Sequence, residues 1–284
     1  MSRIIYLTIS FLLVFFILHA FLTPNPETTK PLYLKPEQLS EPIDSTDNNI
    51  LLEMNCRNAM IKNIRYPEII MQTDDVILGS QLKATLAYEK KLNFRMLIYS
   101  FLGEESDIGS NSEIFWFWSK RMRPQALYYA KHEDLHKTRL KTPFHPMWMK
   151  EIIGVNEIDL NGALVFKQGE LIIVSQRKFS VMGHPIIRIY VIDPVKLAFL
   201  GHYIYNLDGS LVVSAEVLNH YKINDYYVPK IIQIYWAEEN LKSKWIMQCP
   251  ILNGPIDASN WECKDFEYKI NLDGYIPTKS FLIF

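Results

Sequence analysis

His132-Glu133-Asp134-Leu135-His136 stands in the chain as H-E-x-x-H. On a helix, two histidines four residues apart share a face and can ligate zinc, with Glu133 as the general base of a peptidase. Glu157 follows 21 residues after His136, near the spacing of a third ligand in some zinc peptidases. The surroundings argue the other way. Asp134 puts a charge between the two ligands, and Lys131, Lys137, Arg139 and Lys141 charge the segment on most sides. A helix without an apolar face cannot be buried at an active site. The motif also follows directly on a strand-like run. It therefore reads as a solvated helical turn or loop with surface histidines, and a zinc peptidase remains the alternative.

Other constellations are weaker. His145, His184, His202 and His220 are scattered among expected loops and strands, and His202 can face either side of its strand. No G-x-S-x-G and no glycine-rich phosphate loop occurs. The acid pairs Asp74/Asp75 and Glu104/Glu105 sit in turn regions and read as solvated. No cofactor is expected. Net charge is −1, so no nucleic-acid footprint is expected either. Of three cysteines, Cys56 lies on an expected helix and reads as packing. Cys249 and Cys263 flank a Pro/Asn/Gly-rich loop and either pair after export or stay reduced in the core.

The elements that must position these residues begin after a different kind of segment. Residues 1–22 hold an apolar run, Ile4 to Leu22, preceded only by Arg3 and the amino terminus as positive charge. About 20 such residues span a bilayer, longer than the apolar region of a signal peptide, so an uncleaved anchor is favoured over a cleaved signal. Either way the remainder is exported, with the short N-terminal side cytoplasmic. No cysteine follows the run directly, so there is no lipobox. Residues 23–48 carry five prolines among polar residues and read as a linker. Extended, it reaches about 80 Å at about 3.1 Å per residue.

Residues 49–284 form one domain. Asn49 to Ile64 reads as a helix capped by Asn48 or Asn49, with Ile50, Leu51, Met54, Met60, Ile61 and Ile64 as its apolar stripe and Pro67 as its stop. Strand-like runs then follow, with hairpin signals at Lys90–Asn93, Gln168–Glu170 and Leu207–Ser210. About ten or eleven strands are expected. The segment from His132 to Gly154 interrupts them with one or two short helices and a Met/Trp-rich run, Met147–Ile153. No βαβ rhythm appears. The fold class is mainly β (α+β): a strongly curved, half-open antiparallel sheet or barrel, with an N-terminal helix and a short helical lid on its concave side.

The stretch Ser112–Tyr129 is the most informative. Ile114–Trp118 and Ala126–Tyr129 are apolar runs around a basic loop of Lys120, Arg121 and Arg123 closed by Pro124, which suits a hairpin. Period-2 alternation puts Ile114, Trp116 and Trp118 on one face and Phe115 and Phe117 on the other, so both faces need cover.

Gly79-Ser80-Gln81-Leu82-Lys83-Ala84, Leu86-Ala87-Tyr88-Glu89, Asn93-Phe94-Arg95, Asp107 to Glu113, Phe115-Trp116-Phe117-Trp118 and Ala126-Leu127-Tyr128-Tyr129 carry a resemblance. In these residues, and in the order of its elements, the chain resembles the LolA/LolB-like fold of the periplasmic lipoprotein carrier and its outer-membrane receptor. It looks closest to uncharacterised bacterial envelope lipoproteins assigned to that fold. These are scaffold motifs, strongest over about 80 residues, and they speak for fold before function. The resemblance implies binding of lipid or lipoprotein acyl chains in an apolar cavity between sheet and lid, without catalysis. Residues suited to line such a cavity are Trp116, Trp118, Tyr128, Met147, Trp148, Met149, Ile152 and Ile153, each of which also suits plain core packing. Without a lipobox, an inner-membrane anchor with the domain in the periplasm fits better than an outer-membrane lipoprotein. A scaffold that binds no ligand and works through protein partners is the third reading.

Overall fold

A computed structural model describes residues 46–73, 81–90, 92–138, 146–180 and 183–273. The anchor at 1–22, nearly all of the linker, Asp74/Asp75, Gly79-Ser80 and His145 lie outside the described residues. Helix α1 (Thr46–Ala59) opens the chain. Six strands follow: β1 (Asn63–Thr73), β2 (Gln81–Glu89), β3 (Asn93–Ser100), β4 (Gly103–Ser110), β5 (Ile114–Ser119) and β6 (Leu127–Lys131). A 3-10 helix η1 (His132–Lys137) and helix α2 (Pro146–Ile152) interrupt the ladder. It resumes as β7 (Leu164–Gln168), β8 (Leu171–Phe179), β9 (Pro185–Asp193), β10 (Ala198–Asn206), β11 (Leu211–Ile223), β12 (Tyr226–Trp236), β13 (Leu241–Gln248) and β14 (Ile251–Leu252). A second 3-10 helix, η2 (Ala258–Trp261), and β15 (Lys269–Asn271) complete the order.

All the described strands belong to one sheet, ordered β15-β6-β5-β4-β3-β2-β1-β13-β12-β11-β10-β9-β8-β7, with β14 beside β1. Two antiparallel meanders meet at its centre. One runs outward from β1 to β6, and the other runs inward from β7 to β13, which pairs with β1 through Glu68↔Gln248 to Thr73↔Ser243. The hairpin around the basic loop forms as expected, with Phe117 opposite Tyr128. β15 pairs parallel to β6. The two end strands, β7 and β15, do not pair with one another, so the curved sheet stays unclosed.

The expected first helix overruns its observed end. The helix ends at Ala59, not Ile64, and Pro67 sits inside a strand. β1 accommodates the proline at an irregularity: its register to β2 shifts between Tyr66 and Ile69, so the missing N–H costs no ladder bond. Ile61 and Ile64 are buried in the sheet core, while Met60 is exposed. An apolar spacing of three and four across a helix end imitated a longer stripe. Cys56 is exposed on α1 rather than packed.

One face of the sheet carries both helices. Phe94, Met96, Ile98, Ile108, Phe115, Phe117, Tyr128, Ile204, Val213, Ile232 and Trp245 form one apolar cluster with Trp148, Met149, Ile152 and Ile153 of α2. Strands of both meanders join it, which marks the inner face of the curve. Leu51 and Met54 of α1 pack against Val165, Ile172, Val174, Tyr190, Ile192 and Phe199 on the same side. Odd-numbered β9 residues, Ile187, Ile189 and Val191, turn outward with Ile173, Tyr203 and Tyr205 into a separate cluster.

Candidate functional site

α2 is seven residues long, and the chain after it is held at both ends. Gly154 takes a left-handed conformation (φ 72°). Its N–H donates to Glu151 O at 3.1 Å and that of Val155 to Lys150 O at 3.4 Å, the paired bonds of a Schellman terminus. Asn55 of α1 then donates to Ile158 O and accepts from Ile158 N, both at 2.8 Å, and Asn58 donates to Asn156 O at 2.8 Å. Two asparagines of the first helix thus fix the backbone that follows the second.

Beneath α2 lies a buried polar cluster. Arg188 of β9 donates from Nη1 to Glu151 Oε1 at 2.6 Å, with side chains 14% and 5% exposed. His202 of β10, 2% exposed, brings Nε2 to 3.4 Å from Glu151 Oε2. That approach lacks the alignment of a hydrogen bond, and both imidazole nitrogens, Glu151 Oε2, Arg188 Nε and Trp148 Nε1 are buried without a hydrogen-bond partner. The His202 ring stacks on Tyr190, centroids 4.8 Å apart and nearly parallel, and lies 6.4 Å from the Trp148 ring. Burial pushes the Glu151 carboxyl above the usual carboxylate range despite the pull of Arg188. Burial, then the Arg188 charge, holds His202 well below the usual imidazole range. Burial also lowers the Lys150 ammonium.

The residues expected to line a cavity divide into two groups. Tyr128, Trp148, Met149, Ile152 and Ile153 come together on the inner face. Tyr128 stacks on Phe117 at 5.4 Å and donates to Pro124 O at 2.7 Å. Met147 falls on α2, but its side chain is outside the described residues. Trp116 and Trp118 are not brought to this group, a correction that follows from the alternation of β5: with Phe115 and Phe117 inward, they turn outward. Trp116 lies against Gly109 with the Arg95 guanidinium 5.8 Å from its ring, and Trp118 meets Phe266 at 5.8 Å. The cover on this outer side is the C-terminal strap around η2. Arg95 Nη1 donates to Asn260 O and Glu262 O, and Asn111 donates to Trp261 O.

The H-E-x-x-H segment forms η1, with His132 half-buried and His136 exposed. At three residues per turn, positions i and i+4 do not share a face. His132 Nε2 is 2.9 Å from Asn111 O, and Glu157 lies elsewhere, 3.4 Å from Lys90 Nζ. Among the described residues no three His, Cys, Asp or Glu side chains are grouped to hold a metal ion. The peptidase alternative receives no support. Glu105, expected in a solvated pair, is instead buried, accepts from Ser100 Oγ at 2.6 Å and meets Arg121 Nε at 3.4 Å, so it anchors the basic hairpin loop. All three cysteines are free thiols. No described helix is long and apolar enough to cross a membrane, and residues 1–22 are not among those described.

The buried polar cluster was legible only as isolated polar letters in apolar runs. Arg188 interrupts Ile186-Ile187-Arg188-Ile189-Tyr190-Val191-Ile192, and His202 interrupts a strand of aromatic and aliphatic residues.

A single curved, unclosed sheet, antiparallel except where β15 joins β6, with an N-terminal helix and a short second helix on its inner face, defines the LolA-like fold. Solved structures bear this out. A domain from Vibrio parahaemolyticus described as an outer membrane lipoprotein-sorting protein superposes with a TM-score of 0.53 at 8% identity, covering 75% of this chain and 94% of that one. A DUF1329 family protein from Desulfovibrio piger gives 0.54 at 11% identity, covering 78% and 98%. A LolA superfamily protein from Nitrosomonas europaea gives 0.50 at 9% identity, covering 76% and 97%. No family model and no curated protein matches the sequence. At these identities the likeness is one of fold.

Proposed function

We propose that this protein is a membrane-tethered envelope domain that holds the acyl chains of a lipid or lipoprotein between the inner face of its sheet and α2, without catalysing a reaction. The observation that carries this reading is the seating of α2. Trp148, Met149, Ile152 and Ile153 are buried in the same apolar cluster as Phe117 and Tyr128, on the inner side of a sheet whose edges do not meet. Lifting α2 would uncover a trough walled by aromatic, Met and Ile side chains, the surface an acyl chain needs. Each buried CH₂ contributes roughly 0.8 kcal/mol. The name of the Vibrio domain, lipoprotein sorting, points the same way. Residues 1–22 would tether the domain to the inner membrane and residues 23–48 would let it reach across the periplasm.

Native mass spectrometry of the gently extracted full chain tests this. Adducts of lipid mass that vanish in organic solvent are expected. A bare mass would reject it, and lipid uptake that is unchanged when Met149 is crosslinked to the sheet would reject the opening of α2. A second reading is a scaffold that binds no lipid. It is favoured by the complete burial of Phe94, Phe117, Tyr128 and Trp245 against their own neighbours.

A further inference from the structure

We propose that Arg188 and His202 form the head-group site for an amphiphile with a compact anionic group, a carboxylate or a phosphate, and that Glu151 fills that site until such a ligand displaces it. The proposal rests on the acyl-chain reading and names the end of the ligand that the apolar trough does not choose.

The argument begins with where the charges sit. Arg188 is fixed on β9, on the inner face between Ile186 and Tyr190. Its anionic partner comes from α2, the element that must move for the trough to open. Withdrawing Glu151 leaves a buried guanidinium with no counter-charge, a costly state that an incoming anion relieves. A neutral head group offers no such relief.

The hydrogen-bond inventory agrees. Arg188 Nε and Trp148 Nε1 are buried N–H donors without acceptors. A neutral imidazole supplies one more N–H, and neither nitrogen of His202 is partnered. The cluster therefore holds three buried donors that no acceptor meets, while its one carboxylate uses only Oε1 and leaves Oε2 without a hydrogen-bond partner. Glu151 supplies the charge but fits the donors poorly, because its position is set by the helix that carries it. A free carboxylate or phosphate has two or three oxygens and the freedom to meet all three donors. The apolar neighbours on the same face, Trp148, Ile152, Ile186 and Ile204, continue the site into the trough for the chain.

Tryptophan quenching by brominated amphiphiles tests this on the full chain held in an amphipathic polymer. Dibromostearate and dibromostearyl phosphate should each bind at least tenfold more tightly than dibromostearyl alcohol. The tighter of the two identifies the head group. In Arg188→Met the carboxylate and alcohol affinities should converge. In Glu151→Gln, which removes the competing charge, carboxylate binding should strengthen several-fold. Equal binding of all three compounds would overturn the head-group site and leave the acyl-chain reading intact. Quenching by none of them would overturn the acyl-chain reading itself. If Arg188→Met does not fold, Glu151→Gln decides: carboxylate binding that is unchanged or weaker overturns the proposal.

Discussion

The indole of Trp116 occupies the space above Gly109 of the neighbouring strand, so close that a Cβ on Gly109 would stand 2.1 Å from Trp116 Cζ2. The two residues are direct partners in the β4–β5 ladder. The glycine is there because the indole is. Gly109→Ala must push a fully buried ring outward against the strap. Overpacking of this kind costs about 1–3 kcal/mol. Urea denaturation of the full chain should show the midpoint fall, and an unshifted midpoint would mean that the indole has room to move.

Arg95 and Asp107 are the next pair on that outer face. Nε donates to Oδ1 at 3.0 Å and Nη2 to Oδ2 at 2.7 Å, a fork between β3 and β4 that the strap covers. Burial raises the Asp107 carboxyl even against its partner. Breaking one side strands the other charge, at about 3–5 kcal/mol. Arg95→Met should therefore destabilise strongly and raise hydrogen exchange across 258–266, because it also removes the bonds to Asn260 and Glu262. The double variant Arg95→Met/Asp107→Leu should recover part of the loss. A double variant no more stable than the single would show that the strap, not the ion pair, sets the cost.

Asn55 ties α1 to the chain after α2 through both amide atoms. Two net hydrogen bonds are worth about 1–3 kcal/mol together. Asn55→Ala should lower stability within that range and speed exchange at Ile158. Asn55→Asp retains the acceptor for Ile158 N–H and should lose less. Equal losses would assign the effect to packing.

The sequence carried the fold well where local rules act alone. Alternation in β5 divides Phe115 and Phe117 from Trp116 and Trp118, and Asp208-Gly209 turns the chain between β10 and β11 with Gly209 at φ 82°. It failed where a partner distant in sequence decides. Pro67 lies in a strand because β2, β13 and β14 supply the ladder around it. The outward-facing Trp118 found its ring partner about 150 residues downstream, at Phe266, in a polar stretch with no strand pattern. The buried polar cluster draws on positions 148, 151, 188, 190 and 202, which no local window joins. Single polar residues within apolar strands were its one local trace.

His202 makes the stability of the domain depend on pH. Burial and Arg188 depress its pKa, so the folded state refuses a proton that the unfolded chain accepts. Its contribution is full above the unfolded pKa of about 6.5 and is lost as pH falls below it, by at most about 1.4 kcal/mol per pH unit. Glu151, whose carboxyl is raised, acts with the opposite sign: its contribution is full below the ordinary carboxylate range and fades as pH rises through the raised value. Arg188, the charged group that acts on the ring, is held above its ordinary value by Glu151 despite its burial and keeps its charge across this window. His202→Phe retains the stack on Tyr190 and removes the imidazole. Its stability relative to the natural protein should therefore rise steadily as pH falls from 6.5 to 5.5. Urea titrations at four pH values measure the difference directly, which leaves most of the Glu151 contribution common to both proteins. Parallel stability curves over that window would show that His202 takes up its proton in the folded state, and that the space beneath α2 is wetter than its burial implies.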